Sequence, residues 1–304
     1  MNGDKNKVTK DRNIVMGNSN NVDGYENGVM GNWNNVDGSV NRVNGHVNNV
    51  NGNYNGVNGN GNNVKGGFNG IDGNCNNIDG FSNGVKGNGN GVWGSANGVE
   101  GNLNGVVGNA NAIKGDKNAV IGSINRLKGD RNVVDGNANG VWGNDNGLWG
   151  NSNNVNGDKN NVIGNSNNMK GNRNYVQGNT NNITGNRNGV DGSVNDIQGN
   201  KNLVKGNANE INGNVNHVIG DLNDVDGNRN GVKGNQNNVN GNVNTATVGS
   251  ADLTCKDITG GASTGSGDIK CETINGNVKT GSGDVEARTI TGSVSTGSGD
   301  IITR

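Results

Sequence analysis

Glycine recurs at every seventh position from Gly17 to Gly241 without one insertion, and this unbroken register rules out most folds before composition is considered. Asparagine follows three residues after each glycine, from Asn6 to Asn244 in all 35 units, and two residues further on stands Val, Ile, Leu or Met until Ala246 closes the series. The unit reads G-N-x-N-[N/G]-V-x. A heptad suggests a coiled coil, but this one supplies a single aliphatic per seven residues and places glycine in every second helical turn, at a cost of ~1 kcal/mol per site. Helix is therefore excluded. Alternation along a strand fits: positions four and six are fixed and face inward, positions three and seven vary and face outward. Glycine in first place and Asn or Gly in fifth mark the bends, since both residues tolerate positive φ. The second place, which accepts Asn, Asp, Ser, Tyr25, His46 and Phe81, reads as a half-exposed corner.

An inward asparagine in every unit needs partners, because an orphaned buried amide costs roughly 1–3 kcal/mol. Stacking at the ~4.8 Å strand spacing supplies them: each amide donates to one neighbour and accepts from the other. The variable third position gives the number of units per turn. Every second unit carries Lys117, Arg131, Asp145, Lys159, Arg173, Arg187, Lys201, Val215 and Arg229, whereas the units between carry small or apolar residues such as Ala110, Ile124 and Ala138. A two-unit coil of 14 residues sorts these into separate columns; a coil of 21 mixes them. The expected fold is an all-β, flattened, two-sided β-solenoid of 14-residue coils over residues 1–247. From 248 to 304 the period becomes 16, with TGSGD at Thr264, Thr280 and Thr296. Stacking of this second segment on the first would give one rod.

The segment Val248–Arg304, with its repeated T-G-S-G-D-[IV] and the pattern Ile274-Gly276-Val278 and Ile290-Gly292-Val294, resembles the bacterial putative-adhesin β-solenoid domains. The resemblance implies a solenoid in a scaffold or surface context and carries no catalytic residues. Cys255, Cys271 and Ala287 then share one inward column, read as small core hydrophobes in preference to a redox or cross-linking set. Cys75 stands apart, and three cysteines so placed build neither a disulfide framework nor a four-ligand zinc site.

Composition restricts function further. With 59 glycines, no proline and 28% hydrophobic residues, the chain has no ordinary globular core, and a net charge of −1 gives no global pull toward nucleic acid. His46 and His217 are too distant to join one site, and neither a GxxxxGK[ST] nor an HExxH sequence occurs, so no enzyme is expected and no cofactor is indicated. The acidic column Asp196, Glu210 and Asp224 reads as solvated decoration. Asp268, Asp284 and Asp300 of the TGSGD loops read as turn residues in preference to a cation site.

Two outward features remain. A basic ladder of Lys117, Arg131, Lys159, Arg173, Arg187, Lys201 and Arg229 stacks like charges, which an anionic polysaccharide or cell surface would neutralise; nucleic acid is not an expected partner. Trp93, Val107, Ile121, Trp149 and Ile163 form an apolar stripe at position seven, interrupted by Asp135, suited to contact between rods. The favoured reading is an adhesin-like structural rod that associates side by side or end to end, with charged first units capping one end and Ile301–Arg304 open to another chain. Anion binding by the ladder comes second. Ice binding comes third, because it needs a flat, regular outward array of small polar residues, commonly threonine, and neither outward column, three or seven, is uniform enough. Neither a membrane span nor a signal peptide is visible, and an extracellular or surface location is favoured by the adhesin-like pattern alone.

Overall fold

The computed structural model describes residues 1–206 throughout. Beyond them it describes the strands between 210 and 248 by their backbone pairing, together with Gly249, residues 252–258 and residues 260–304; side chains at 211–248 and 254–256 lie outside the description. Two compact units result, Met1–Ser152 and Asn153–Arg304. Both are parallel β-solenoids, with no helix among the described residues.

In the first unit each heptad contributes one three-residue strand, and strands pair with an offset of 14. Gly91–Trp93 lies between Asn77–Asp79 and Gly105–Val107, and Gly84–Lys86 lies between Gly70–Asp72 and Gly98–Glu100. The 14-residue coil follows directly. One sheet, begun by Lys7–Thr9, is called the first face below; the other, begun by Ile14–Met16, is the second. The second unit repeats the arrangement in strands such as Asn161–Ile163 with Tyr175–Gln177 and Asn168–Lys170 with Asn182–Thr184. Its last strands pair with an offset of 16, as in Leu253↔Ile269 and Ile269↔Val285. The change of period therefore lies inside this unit, and the seam between units lies within the heptad array, where nothing in the period marks it.

The core is one row of aliphatics per face, Val92, Val106 and Val120 on the first and Val85, Val99 and Ile113 on the second, all buried. Beside each row runs a row of buried asparagines whose amides are fully occupied. Asn104 shows the pattern: Nδ2 donates to Asn90 Oδ1 at 3.1 Å and to the Gly115 carbonyl at 2.9 Å, and its backbone N–H also donates to Asn90 Oδ1 at 3.0 Å. Its own Oδ1 accepts from the backbone N–H and the Nδ2 of Asn118. The expected ladder is present, and in rungs such as Asn104 a backbone N–H and a glycine carbonyl join it, so a thin apolar core carries a buried polar row with its hydrogen bonds made.

The bend is placed differently from the sequence reading. Position three is not an outward strand position; Lys117, Ile124, Arg131 and their equivalents sit at φ between 56° and 64°, at the corners of the coil. Position five is not a bend but the first residue of each strand, facing outward. Reversing the chain between two three-residue strands takes the glycine at position one, with φ +132° at Gly108, and a left-handed residue at position three. The glycines at position five answer no such demand: around an added Cβ at Gly28, Gly56, Gly70, Gly84, Gly98 or Gly105 nothing lies within 4 Å.

Left-handed backbone is unfavourable for L-residues by roughly 1–2 kcal/mol, and worst for β-branched ones. Ile124, at φ +64° and 66% exposed, has little packing to lose. Ile124→Asn is expected to stabilise the protein by about 1 kcal/mol. A denaturant midpoint at or below that of the parent would refute this account of the corner.

The 16-residue coils bury Leu253, Ile258, Ile269, Ile274, Val278 and Val285. Thr264 and Thr280 are also buried, each donating its hydroxyl to the carbonyl of Gly267 or Gly283 at 2.5 Å. The loop aspartates form a ladder: Asp268 Oδ1 accepts the N–H of Asp284 at 2.8 Å, and Asp284 Oδ1 that of Asp300 at 2.7 Å. The turn role expected of them is what the structure gives. Cys271 is buried, disulfide-bonded and in register with Cys255 and Ala287, and the side chain of Cys255 lies outside the described residues. Cys271 is thus more than a small hydrophobe of the core.

Candidate functional surfaces

The corners carry hydrogen bonds as well as charge. At position two a side-chain oxygen takes the backbone N–H of the preceding coil, as where Asn74 N–H donates to Asn88 Oδ1 and Asn88 N–H to Asn102 Oδ1. This role was missed in the sequence, although the preference for Asn, Asp and Ser was its signal. Position-three side chains stack above one another: the rings of Tyr54 and Phe68 lie parallel, 4.9 Å apart.

The basic ladder divides between the units. In the first, Arg131 is neutralised by Asp145, one coil on, through Nε to Oδ1 at 2.6 Å and a second bond at 2.9 Å, which raises its pKa above the usual arginine value. Lys117 occupies the corner one coil before. In the second unit Lys159, Arg173, Arg187 and Lys201 occupy successive corners and line a groove of ≈ 520 Å³. Arg229 lies outside the described residues, as does the side chain of Asp224; Glu210 is exposed and in register with Asp196, and Asp196 accepts a hydrogen bond from Asn182.

Trp93, Val107, Ile121 and Trp149 come together on the first face of the first unit, in register with Asp135 between the last two. They are between 43% and 56% exposed. Ile163 belongs to the second unit. Beside the stripe, in column five, stand Gly91, Gly105, Ala119, Val133 and Gly147, a column that the sequence reading had assigned to the bend. The Trp93 ring lies back across Gly91, where a Cβ would meet it at 2.7 Å. The result is a strip five strands long in which Asp135 is the single charge.

The second face of the same unit differs. Gly56, Gly70, Gly84, Gly98 and Ala112 floor a trough of ≈ 950 Å³ walled by Asp72, Lys86, Glu100, Lys114 and Lys128 and ended by Trp142. Its wall partly neutralises itself through the Lys114–Glu100 ion pair at 3.1 Å. No group of three or more His, Cys, Asp or Glu residues suited to a metal occurs among the described residues, and none of their helices is long and apolar enough to cross a membrane.

A family model described as the grass antifreeze beta roll matches residues 127–220. The match covers less than a third of the chain and spans both units, ending before the 16-residue coils. No curated protein matches the chain. What stands is a repeat β-solenoid similar over that stretch to the grass antifreeze beta roll; the coil geometry of 248–304 is that of a solenoid, and the resemblance to bacterial adhesin domains is not shown.

Proposed function

We propose that this protein is an ice-binding β-roll acting through the first face of the unit Met1–Ser152, between the strands Gly91–Trp93 and Gly147–Trp149. One observation carries the reading: the outward residues of these strands are small or apolar, with Asp135 the single charge, on a rigid sheet with a regular strand spacing. Water over such a strip is not held by strong local charges and is free to take the order of a lattice in register with the rungs. Many weak contacts on one rigid array then add as a multivalent set. The similarity of residues 127–220 to the grass antifreeze beta roll supports an ice-binding reading of the chain and overlaps the proposed face at its last two strands, Val133–Asp135 and Gly147–Trp149. Of the obstacles seen in the sequence, the irregular outward column is reduced because column five faces out and column three does not, while the strip offers small and apolar side chains in place of the small polar ones expected. In this reading no bond is made or broken, and the chain is a binding scaffold rather than an enzyme.

Ile121→Lys tests it. The side chain is 56% exposed and its register neighbour is Asp135, so folding should change by less than about 0.5 kcal/mol while a hydrated charge enters the middle of the strip. Ice recrystallisation inhibition should weaken about tenfold. An inactive parent protein, or a variant as active as the parent, would overturn the proposal. The same exposed stripe favours one other reading, side-by-side association of rods. Sedimentation of the parent would then show a concentration-dependent mass that Ile121→Lys reduces.

A further inference from the structure

The second unit holds a charge pattern that the ice-binding face does not use. Lys159, Arg173, Arg187 and Lys201 stand at one corner of four successive coils, their positions fixed by the backbone: Arg173 N–H donates to Asp158 O, Arg187 N–H to Asn172 O and Lys201 N–H to Asn186 O, at 2.9–3.0 Å. The residues beside them are pinned too, since the N–H groups of Asp158, Asn172 and Asn186 donate to Asn172, Asn186 and Asn200 Oδ1 at 2.6–2.7 Å. Four cations are thereby held about one strand spacing, ~4.8 Å, apart along the wall of a groove of ≈ 520 Å³.

At three places the solenoid neutralises in-register charge, by Arg131 with Asp145, Lys114 with Glu100 and Lys65 with Asp79, while Lys114 and Lys128 form an in-register like-charged pair on the second face. Here no salt bridge to any of the four occurs among the described residues, although stacked like charges repel. Each of the four also sits at φ between 59° and 62°, a backbone region that Gly or Asn would occupy with less strain. Local preference and local electrostatics both oppose this column, a conflict that proteins tolerate chiefly where a surface has work to do.

We propose that the corner Lys159–Lys201 binds a linear acidic polysaccharide, an extended chain whose carboxylates or sulfates recur near the coil spacing and run parallel to the solenoid axis. The cations pair with the anionic groups, and the polar side chains of the groove face the sugar hydroxyls. Nucleic acid fits less well. No aromatic residue lines the groove to stack a base, and a duplex, with one charge per ~1.7 Å wound on two helical strands, meets a straight column over a short arc only.

The test uses the full chain and titration calorimetry with polygalacturonate, dextran sulfate, neutral dextran and a single-stranded oligonucleotide of matched charge. Binding to both acidic polysaccharides at low salt is expected, with none to dextran and a slope of log K against log salt of about −3 for four contacts. Arg173→Ser with Arg187→Ser should weaken binding about tenfold and reduce the slope by one to two units, while Arg173→Lys with Arg187→Lys retains it. Lys86→Ser with Lys128→Ser makes the same charge change in the first unit and should leave binding unaltered. Equal loss in that control, tighter binding of the oligonucleotide, or no binding of either polyanion at low salt would each overturn the proposal. Circular dichroism of every variant separates loss of the site from loss of the fold.

Discussion

Gly108→Ala is expected to destabilise the first unit by at least about 4 kcal/mol, whereas Gly105→Ala, three residues earlier, is expected to be neutral or to stabilise it by about 0.5 kcal/mol. Gly108 combines φ +132° with a close approach: a Cβ would lie 1.9 Å from the Gly122 carbonyl oxygen and 2.7 Å from its carbon, both backbone atoms of the next coil. Relief requires the coils to part. That in turn breaks the bonds closing the bend, Gly108 N–H to Trp93 O and Gly122 N–H to Val107 O, each 2.9 Å. Gly105 has no positive φ and nothing within 4 Å of the missing Cβ. Its replacement removes backbone freedom from the unfolded chain at no steric cost. Chemical denaturation of the two variants measures the contrast directly. Similar losses in both would mean that glycine serves a general solvation or entropy role and that close coil contact is not the constraint.

The second large effect concerns the inner amide. Asn104→Asp preserves shape but replaces the two donors of Nδ2 by an oxygen facing Asn90 Oδ1 and the Gly115 carbonyl, both acceptors. A buried carboxylate so placed should cost about 3–5 kcal/mol at neutral pH. Burial and the two facing oxygens push the pKa of the new carboxyl above its unfolded value, and the sign of the pH dependence follows. The loss is largest above the folded pKa, where the group is charged, and shrinks as pH falls through it, because the protonated acid can again donate one hydrogen bond. The variant should therefore gain on the parent in mild acid. Thermal melts of both proteins at pH 7 and at about pH 5 test this, and a difference that is independent of pH would sink the electrostatic account. Because coils share their stability with neighbours, the damage should extend beyond the substituted coil.

The 14-residue coil, the inward pairing of positions four and six, and the 16-residue continuation were legible because each is a period, and a stacked parallel sheet makes periods visible. The local path of the bend was not. Asn and Gly at position five look like residues chosen for positive φ, while the true left-handed position is concealed by accepting Val40, Ile124 and Val194. Coil-to-coil stacking overrides intrinsic preference at the corner, and composition then points to the wrong residue. At the surface, the tryptophan stripe was readable from alternation, but its companion column was lost with the misplaced bend. The basic ladder was readable as a column; its division into an Arg131–Asp145 pair and an unpaired run of four depended on side-chain geometry.

The inner ladder also affects how the molecule ages. Many of its rungs are Asn-Gly pairs, among them Asn27-Gly28, Asn55-Gly56 and Asn90-Gly91, the dipeptide in which the following nitrogen most readily attacks the side-chain carbonyl carbon and releases ammonia. In this solenoid that nitrogen is engaged: Gly28, Gly56 and Gly91 each donate their N–H to the backbone carbonyl of the asparagine one coil on in the same row, Asn41, Asn69 and Asn104, at 2.8–2.9 Å. The amide itself is fixed by hydrogen bonds on both its oxygen and its nitrogen, so it cannot swing toward the attacking atom. Folding thus suspends a chemical clock that every unfolded copy of the chain would start. A rung that converts to aspartate in an unfolded moment cannot return to its place without disturbing the stack, which makes each excursion from the native state a lasting mark on the molecule.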